Sequence, residues 1–289
     1  MPISNDLPSA GPPPMTGADQ TDHAMTASPP PNLADLRREI DRIDAAMHAL
    51  LMERGEIIDR LIAVKRSQES GSAFRPGREA AMMREIVGRH KGILPVDIVE
   101  SIWRVIIATF THVQAPYTVH GDVSMGNAAM RDVARFHFGF VVPYETHDDT
   151  ADVIRAVAAS RGDLGLVPVA ASGAWWRALE GPATPKVIAR LPFVDRADHP
   201  ADLASYVVSK PIDEAATVSD VGLFSVMLPH SEPVAPRFGE IIARAGAALL
   251  MAFPAGQDPY EAGLPAGSIL HAVGSHAAPF QHPSHREAP

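Results

Sequence analysis

Cysteine is absent from all 289 residues, which excludes disulfides, thiolate metal sites and cysteine nucleophiles. No run approaches the eighteen or more consecutive apolar residues of a membrane span. The first thirty-odd residues hold neither a basic cluster nor an apolar core, so no signal peptide is expected and a cytoplasmic protein is the default. Basic excess is missing too: the net charge is −9. Between Leu33 and Ala115 there are 13 Lys and Arg against 12 Asp and Glu, whereas the remainder carries 12 against 22. No basic stripe exists to neutralise phosphates, so nucleic acid is an unsuitable partner.

What is present is a globular composition, 46% hydrophobic and 20% charged, in a chain long enough for one large or two ordinary domains. Residues 1–32 hold eight prolines, among them Pro12-Pro13-Pro14 and Pro29-Pro30-Pro31, and read as a disordered leader of polyproline character. Three helices are expected next. The first runs from Leu33 to Arg66 behind the N-cap Asn32, the second from Pro76 to about His90, and the third from Pro95 to Pro116. Beyond Pro116 short strands and helices alternate, which predicts an α/β domain over 117–276 with a small module of the amino-acid-binding type at 221–273. Strands are expected near 117–121, 140–144, 164–169, 187–193, 205–209, 223–228, 248–253 and 268–273, and helices near 128–138, 151–160, 175–179 and 238–245. Residues 277–289 read as a loose tail.

The first helix carries its own anomaly. Leu36, Ile40, Ile43, Met47, Leu50, Leu51, Ile57, Ile58, Leu61 and Ile62 recur at helical spacing, yet Arg54 and Lys65 project into the middle of that stripe. A lone buried charge costs several kcal/mol, so both cations need an anionic partner, an internal ion pair or a snorkelling route to water. A helix of that length is about 50 Å long, more than one small domain buries, and such a helix commonly lies along a partner copy. Arg37 precedes Arg54 by 17 residues, roughly 25 Å along the axis, so one straight helix cannot bring both to one small ligand. An antiparallel homodimer can. Arg78 and Glu79 stand in the first turn of the second helix, where an arginine opposes the dipole. The third helix aligns Trp103, Ile106, Phe110 and then Gln114 on one face. Arg37, Arg54, Lys65, Arg78, Glu79 and Gln114 thus form a helical site rich in fixed donors, with no nucleophile beside a base and no metal set. It suits a small dianion whose reaction redistributes charge without proton transfer.

These residues, as Leu36-Arg37-x-x-Ile40-x-x-x-Asp44, Leu50-Leu51-x-Glu53-Arg54, Val64-Lys65, Arg75-Pro76-x-Arg78-Glu79 and Gln114, resemble the all-helical chorismate mutases, including the mutase domain of bacterial bifunctional mutase–dehydratases. The resemblance covers Leu33 to Ala115 and implies an intertwined helical homodimer that rearranges chorismate to prephenate without a cofactor. It also implies that Arg54, the partner copy's Arg37 and Arg78 clamp the carboxylates. Lys65 and Gln114 would donate to the ether oxygen, and Glu79 would hold the ring hydroxyl. Arg75 stands where some members carry Asp, and Phe110 where Ser is frequent, which keeps open isochorismate pyruvate lyase, a chemistry of the same fold. A non-enzymatic sensor of an aromatic-pathway metabolite is the alternative of another class.

The second half loosely resembles prephenate dehydratase through Asp152 to Val169 and the Ser172-Gly173 loop. The Thr-Arg-Phe signature of that family is missing: the nearest strand reads Ala204-Ser205-Tyr206-Val207-Val208, which implies a domain without dehydratase catalysis. Trp175-Trp176 read as packing residues. His271, His276, His282 and His285 match no standard metal spacing, so no metal is expected there.

Overall fold

The computed structural model describes residues 32–65, 74–212 and 220–282. The expected leader as far as Pro31, residues 66–73 and the last seven residues of the expected tail lie outside the described residues. Two compact units divide the chain, residues 1–52 and 53–289.

Helix α1 (Leu33–Lys65) starts where the sequence places it: the Asn32 side chain accepts from the Asp35 backbone N–H at 3.0 Å. Along its first half Leu36, Ile40, Ile43, Met47 and Leu50 are all exposed, an apolar stripe at helical spacing. Helix α2 (Pro76–Arg89) opens on a proline at its first turn and buries Ala80, Met83, Ile86 and Val87. Helix α3 (Val96–Gln114) has two faces. Val99, Glu100, Arg104, Ile107, Ala108 and Thr111 are buried, whereas Ile98, Ile102, Val105 and Val113 remain exposed. Among the described residues no helix is long and apolar enough to cross a membrane.

From β1 onward the chain builds a nine-stranded mixed sheet. Its first third is β1 (Val119–Asp122), α4 (Asn127–Phe138), β2 (Tyr144–His147), α5 (Thr150–Ala159) and β3 (Leu164–Pro168), with β2 and β3 both parallel to β1. Strands β4 (Lys186–Leu191) and β6 (Ser205–Ser209) continue it antiparallel to one another, with the short β5 (Val194–Asp195) between them in sequence. Strands β7 (Val221–Met227), β8 (Glu240–Ala245), β9 (Ala248–Pro254) and β10 (Ile269–His276) complete the order β2-β1-β3-β6-β4-β10-β7-β9-β8. The segment expected as a separate small module therefore continues the same sheet through β10 against β4. That junction needs Gly274: its φ is +144°, and a Cβ there would lie 2.1 Å from the Val187 carbonyl oxygen.

Three expectations are corrected. The strand placed at 140–144 is the later β2, because residues 139–143 form a turn fastened by Arg135, which donates to the Gly139 and Val142 carbonyls at 3.0 and 3.2 Å. The helix placed at 238–245 is the strand β8. Its Ile and Ala residues suit either state, and pairing with β9 through the tight turn at Gly246 (φ +62°) decides for the strand. Part of the expected tail is ordered as β11 (Phe280–Gln281), which pairs in parallel with β5, and the Phe280 N–H donates to the Phe193 carbonyl at 2.7 Å.

Candidate functional site

Two helix segments of the second unit, the C-terminal part of α1 and the end of α3, bring Arg54 and Phe110 together. The Arg54 guanidinium carbon lies 4.4 Å from the ring centroid of Phe110. Its Nη1 is buried and has no hydrogen-bond partner among the described residues. Burial, and then the positive charge of Arg78, hold the Arg54 pKa below its ordinary value. Arg54 is thus a cation short of acceptors with a second cation acting on it, and an anion answers both needs. Gln114 belongs to the same corner: its Nε2 donates to the Phe110 carbonyl at 3.1 Å, and the side chain is half-buried.

Glu79, expected beside these donors, is buried and bonded to Arg104, whose Nη1 donates to Oε2 at 2.6 Å. Arg104 is fully buried and also donates through Nη2 to the His137 carbonyl at 3.1 Å. Arg78 is exposed on the first turn of α2. Arg37 is exposed on the first half of α1. Lys65 closes α1, and its side chain lies outside the described residues.

Sequence reasoning missed the buried polar groups that gather on α3 and the segments packed against it. Glu100 meets His199 at 3.3 Å, and Arg196 lies 3.6 Å from Asp97 and 3.6 Å from Asp198. His137 is fully buried, neither ring nitrogen has a hydrogen-bond partner among the described residues, and burial, then the charges of Arg104 and His199, push its pKa well down. The available signal was the Glu100 to Arg104 spacing, one helical turn, on a face otherwise apolar.

In the sheet domain Trp175 and Trp176 are buried in the core, as expected of packing residues. His271 is exposed and His276 buried on β10, and His282 follows β11; His285 is outside the described residues. A cavity of about 240 Å³ lies at the start of α5, lined by Ser124, Asp149, Thr150, Ser172, Gly173 and Trp175 among others.

Residues 36–115 match the family model of chorismate mutase type II. Among curated proteins, the chain is similar to three proteins named bifunctional chorismate mutase/prephenate dehydratase. That of Aquifex aeolicus is 31% identical over 143 residues, which cover 47% of this chain and 38% of the relative. That of Neisseria gonorrhoeae is 28% identical over 133 residues, 46% of this chain and 36% of the relative. That of Pseudomonas aeruginosa is 28% identical over 141 residues, 47% of this chain and 38% of the relative. The similarity thus spans under two fifths of each relative's length. No solved structure matches the chain.

Proposed function

We propose that this protein is a chorismate mutase that works as a homodimer, isomerising chorismate to prephenate without a cofactor. One observation carries the reading: a guanidinium, Arg54, is kept in a half-buried place beside Phe110, with a buried nitrogen that has no hydrogen-bond partner among the described residues and with Arg78 acting on it. Chorismate supplies two carboxylates, and a clamp on them holds the flexible enol ether in its compact reactive form. The rearrangement breaks a carbon–oxygen bond as a carbon–carbon bond forms, so negative charge grows at the ether oxygen and no proton need move. Lys65 and Gln114 are the donors to that oxygen. Glu79, fixed by Arg104, is a pre-set acceptor for the ring hydroxyl.

The dimer is supported by the uncovered apolar stripe of α1, from Leu36 to Leu50, and by the exposed Ile98 and Ile102 of α3. A second copy laid along α1 would cover that stripe and deliver its Arg37 to the Arg54 corner. The sheet domain, by our reading, is dehydratase-like without dehydratase catalysis. The wholly buried β6 carries Tyr206, whose hydroxyl pKa is pushed up to about 12, chiefly by burial, where the family would offer Thr and Arg.

The test is turnover of the full chain with chorismate and with isochorismate, the products identified by mass spectrometry. Prephenate from chorismate supports the proposal. Pyruvate released from isochorismate alone assigns the lyase instead, the reading that the Arg75 and Phe110 departures keep open. Binding without turnover of either assigns a sensor.

A further inference from the structure

Strands β1 and β2 hold a cluster that the mutase reading does not use. His120 stands opposite Glu145 in the parallel pairing, and Glu145 and His147 are two residues apart. All three side chains therefore leave the same face of the strand pair. The His120 Nδ1 lies 3.0 Å from the His147 Nε2 and 3.6 Å from the Glu145 Oε2, and one ligand atom from each of the three falls within 4.8 Å of the others.

A carboxylate behind His120 sets its tautomer. Asp163, just ahead of β3, accepts from the Thr118 backbone N–H at 2.9 Å through Oδ1, and its Oδ2 lies 3.2 Å from the His120 Nε2. A carboxylate only accepts, so Nε2 carries the hydrogen and Nδ1 presents its lone pair toward His147 and Glu145. This is the arrangement that metal-ligating histidines use, with the far nitrogen held by an outer carboxylate. Asp122, on the same strand face, is already engaged: it accepts from the Ser124 N–H at 2.8 Å and from the Thr150 hydroxyl.

We propose that His120 Nδ1, His147 Nε2 and the Glu145 carboxylate bind one first-row divalent transition ion of the zinc class, with Asp163 positioning His120. Two imidazole nitrogens sharing a tetrahedral zinc at 2.0–2.1 Å stand about 3.3 Å apart, so the observed pair needs to open by only a few tenths of an ångström. His120 is buried and held by Asp163, whereas the Glu145 side chain is largely exposed, with open space through which to turn toward the ion. Imidazole and carboxylate donors select zinc, cobalt or nickel over calcium and magnesium. Three protein ligands leave the solvent side for water, and the ion ties the edge strand β2 to β1.

The proposal does not rest on the mutase reading and is tested apart from it. Full-length protein is stripped with chelator and titrated with cobalt(II), following the visible absorption that low-symmetry coordination intensifies, and then with zinc by calorimetry. The expected result is one ion per chain, with a thermal midpoint that rises on loading. His147→Ala and Glu145→Gln, both at accessible side chains, should each lose that stoichiometric site. Asp163→Asn offers an amide N–H to His120, reverses its tautomer and should weaken the site about 10- to 100-fold while leaving the metal-free melting curve near wild type. Binding that persists in both His147→Ala and Glu145→Gln, or no binding tighter than millimolar in the wild type, overturns the assignment. Chorismate turnover is expected to be unchanged in all three variants.

Discussion

The Arg54 guanidinium rests on the face of Phe110, 4.4 Å from its centroid, and Phe110 is the residue whose own carbonyl receives the Gln114 amide at 3.1 Å. One aromatic side chain therefore supports Arg54, the proposed clamp residue, and its backbone holds Gln114, the proposed donor to the ether oxygen. A cation over an aromatic ring at a partly desolvated site contributes on the order of 1–2 kcal/mol. Phe110→Ser should raise KM for chorismate about 5- to 30-fold with a smaller change in kcat, as steady-state kinetics will show.

In the proposed mechanism Lys65→Ala removes charge stabilisation at the atom that becomes negative in the transition state. Turnover should fall by roughly 10²–10³ or more, by analogy with the loss of an oxyanion donor, whereas equilibrium binding of a dicarboxylate inhibitor changes far less. Equal losses in binding and turnover would count against this role.

The proposed dimer, with sites shared between copies, predicts subunit complementation. Arg37→Ala and Arg54→Ala should each be nearly inactive as pure dimers. Random reassociation of an equal mixture restores one intact site in each heterodimer, about a quarter of wild-type activity. A mixture as inactive as its parents would mean that both residues of a site come from one chain. Ile43→Glu on the uncovered stripe of α1 should shift the protein to monomer by light scattering and abolish turnover with it.

The buried Glu79–Arg104 pair separates stability from catalysis. Arg104→Met leaves the Glu79 carboxylate buried without its partner and should cost about 3–5 kcal/mol in urea unfolding. Replacing both, Glu79→Leu with Arg104→Met, should recover most of that stability and none of the activity.

His276 gives the fold a pH dependence. Burial, opposed by its bond to the Ala277 carbonyl, lowers its pKa from 6.5 to about 4. In the unfolded chain the ring takes a proton below about pH 6.5, while in the folded chain it stays neutral until about pH 4. Stability is therefore fullest above pH 6.5 and falls through the window between the two, by up to about 3 kcal/mol. His137, shifted in the same direction, adds to that slope. Urea midpoints from pH 8 to 4.5 should fall less steeply for His276→Gln than for wild type.

The helices and most strands were legible in the residues themselves. Asn32 and Pro76 start α1 and α2 by local chemistry, and the apolar period of α1 sets its length, because capping and 3.6-residue spacing involve only neighbours in the chain. The intruding Arg54 was equally legible, since a cation in an apolar stripe is a sequence fact. What the sequence left undecided depended on partners far along the chain. Residues 240–245 become a strand because β9 is there to receive them, and Phe280 joins the fold because β5 offers its edge. Arg104 reads as a surface residue until Glu79, 25 positions earlier, is seen to meet it in the interior. His120 and His147 are separated by a helix and meet only because β1 and β2 pair in parallel. Local propensity acts over a turn or a pleat. Which side chains face one another across elements is set by strand register and helix packing, and only the folded chain fixes those.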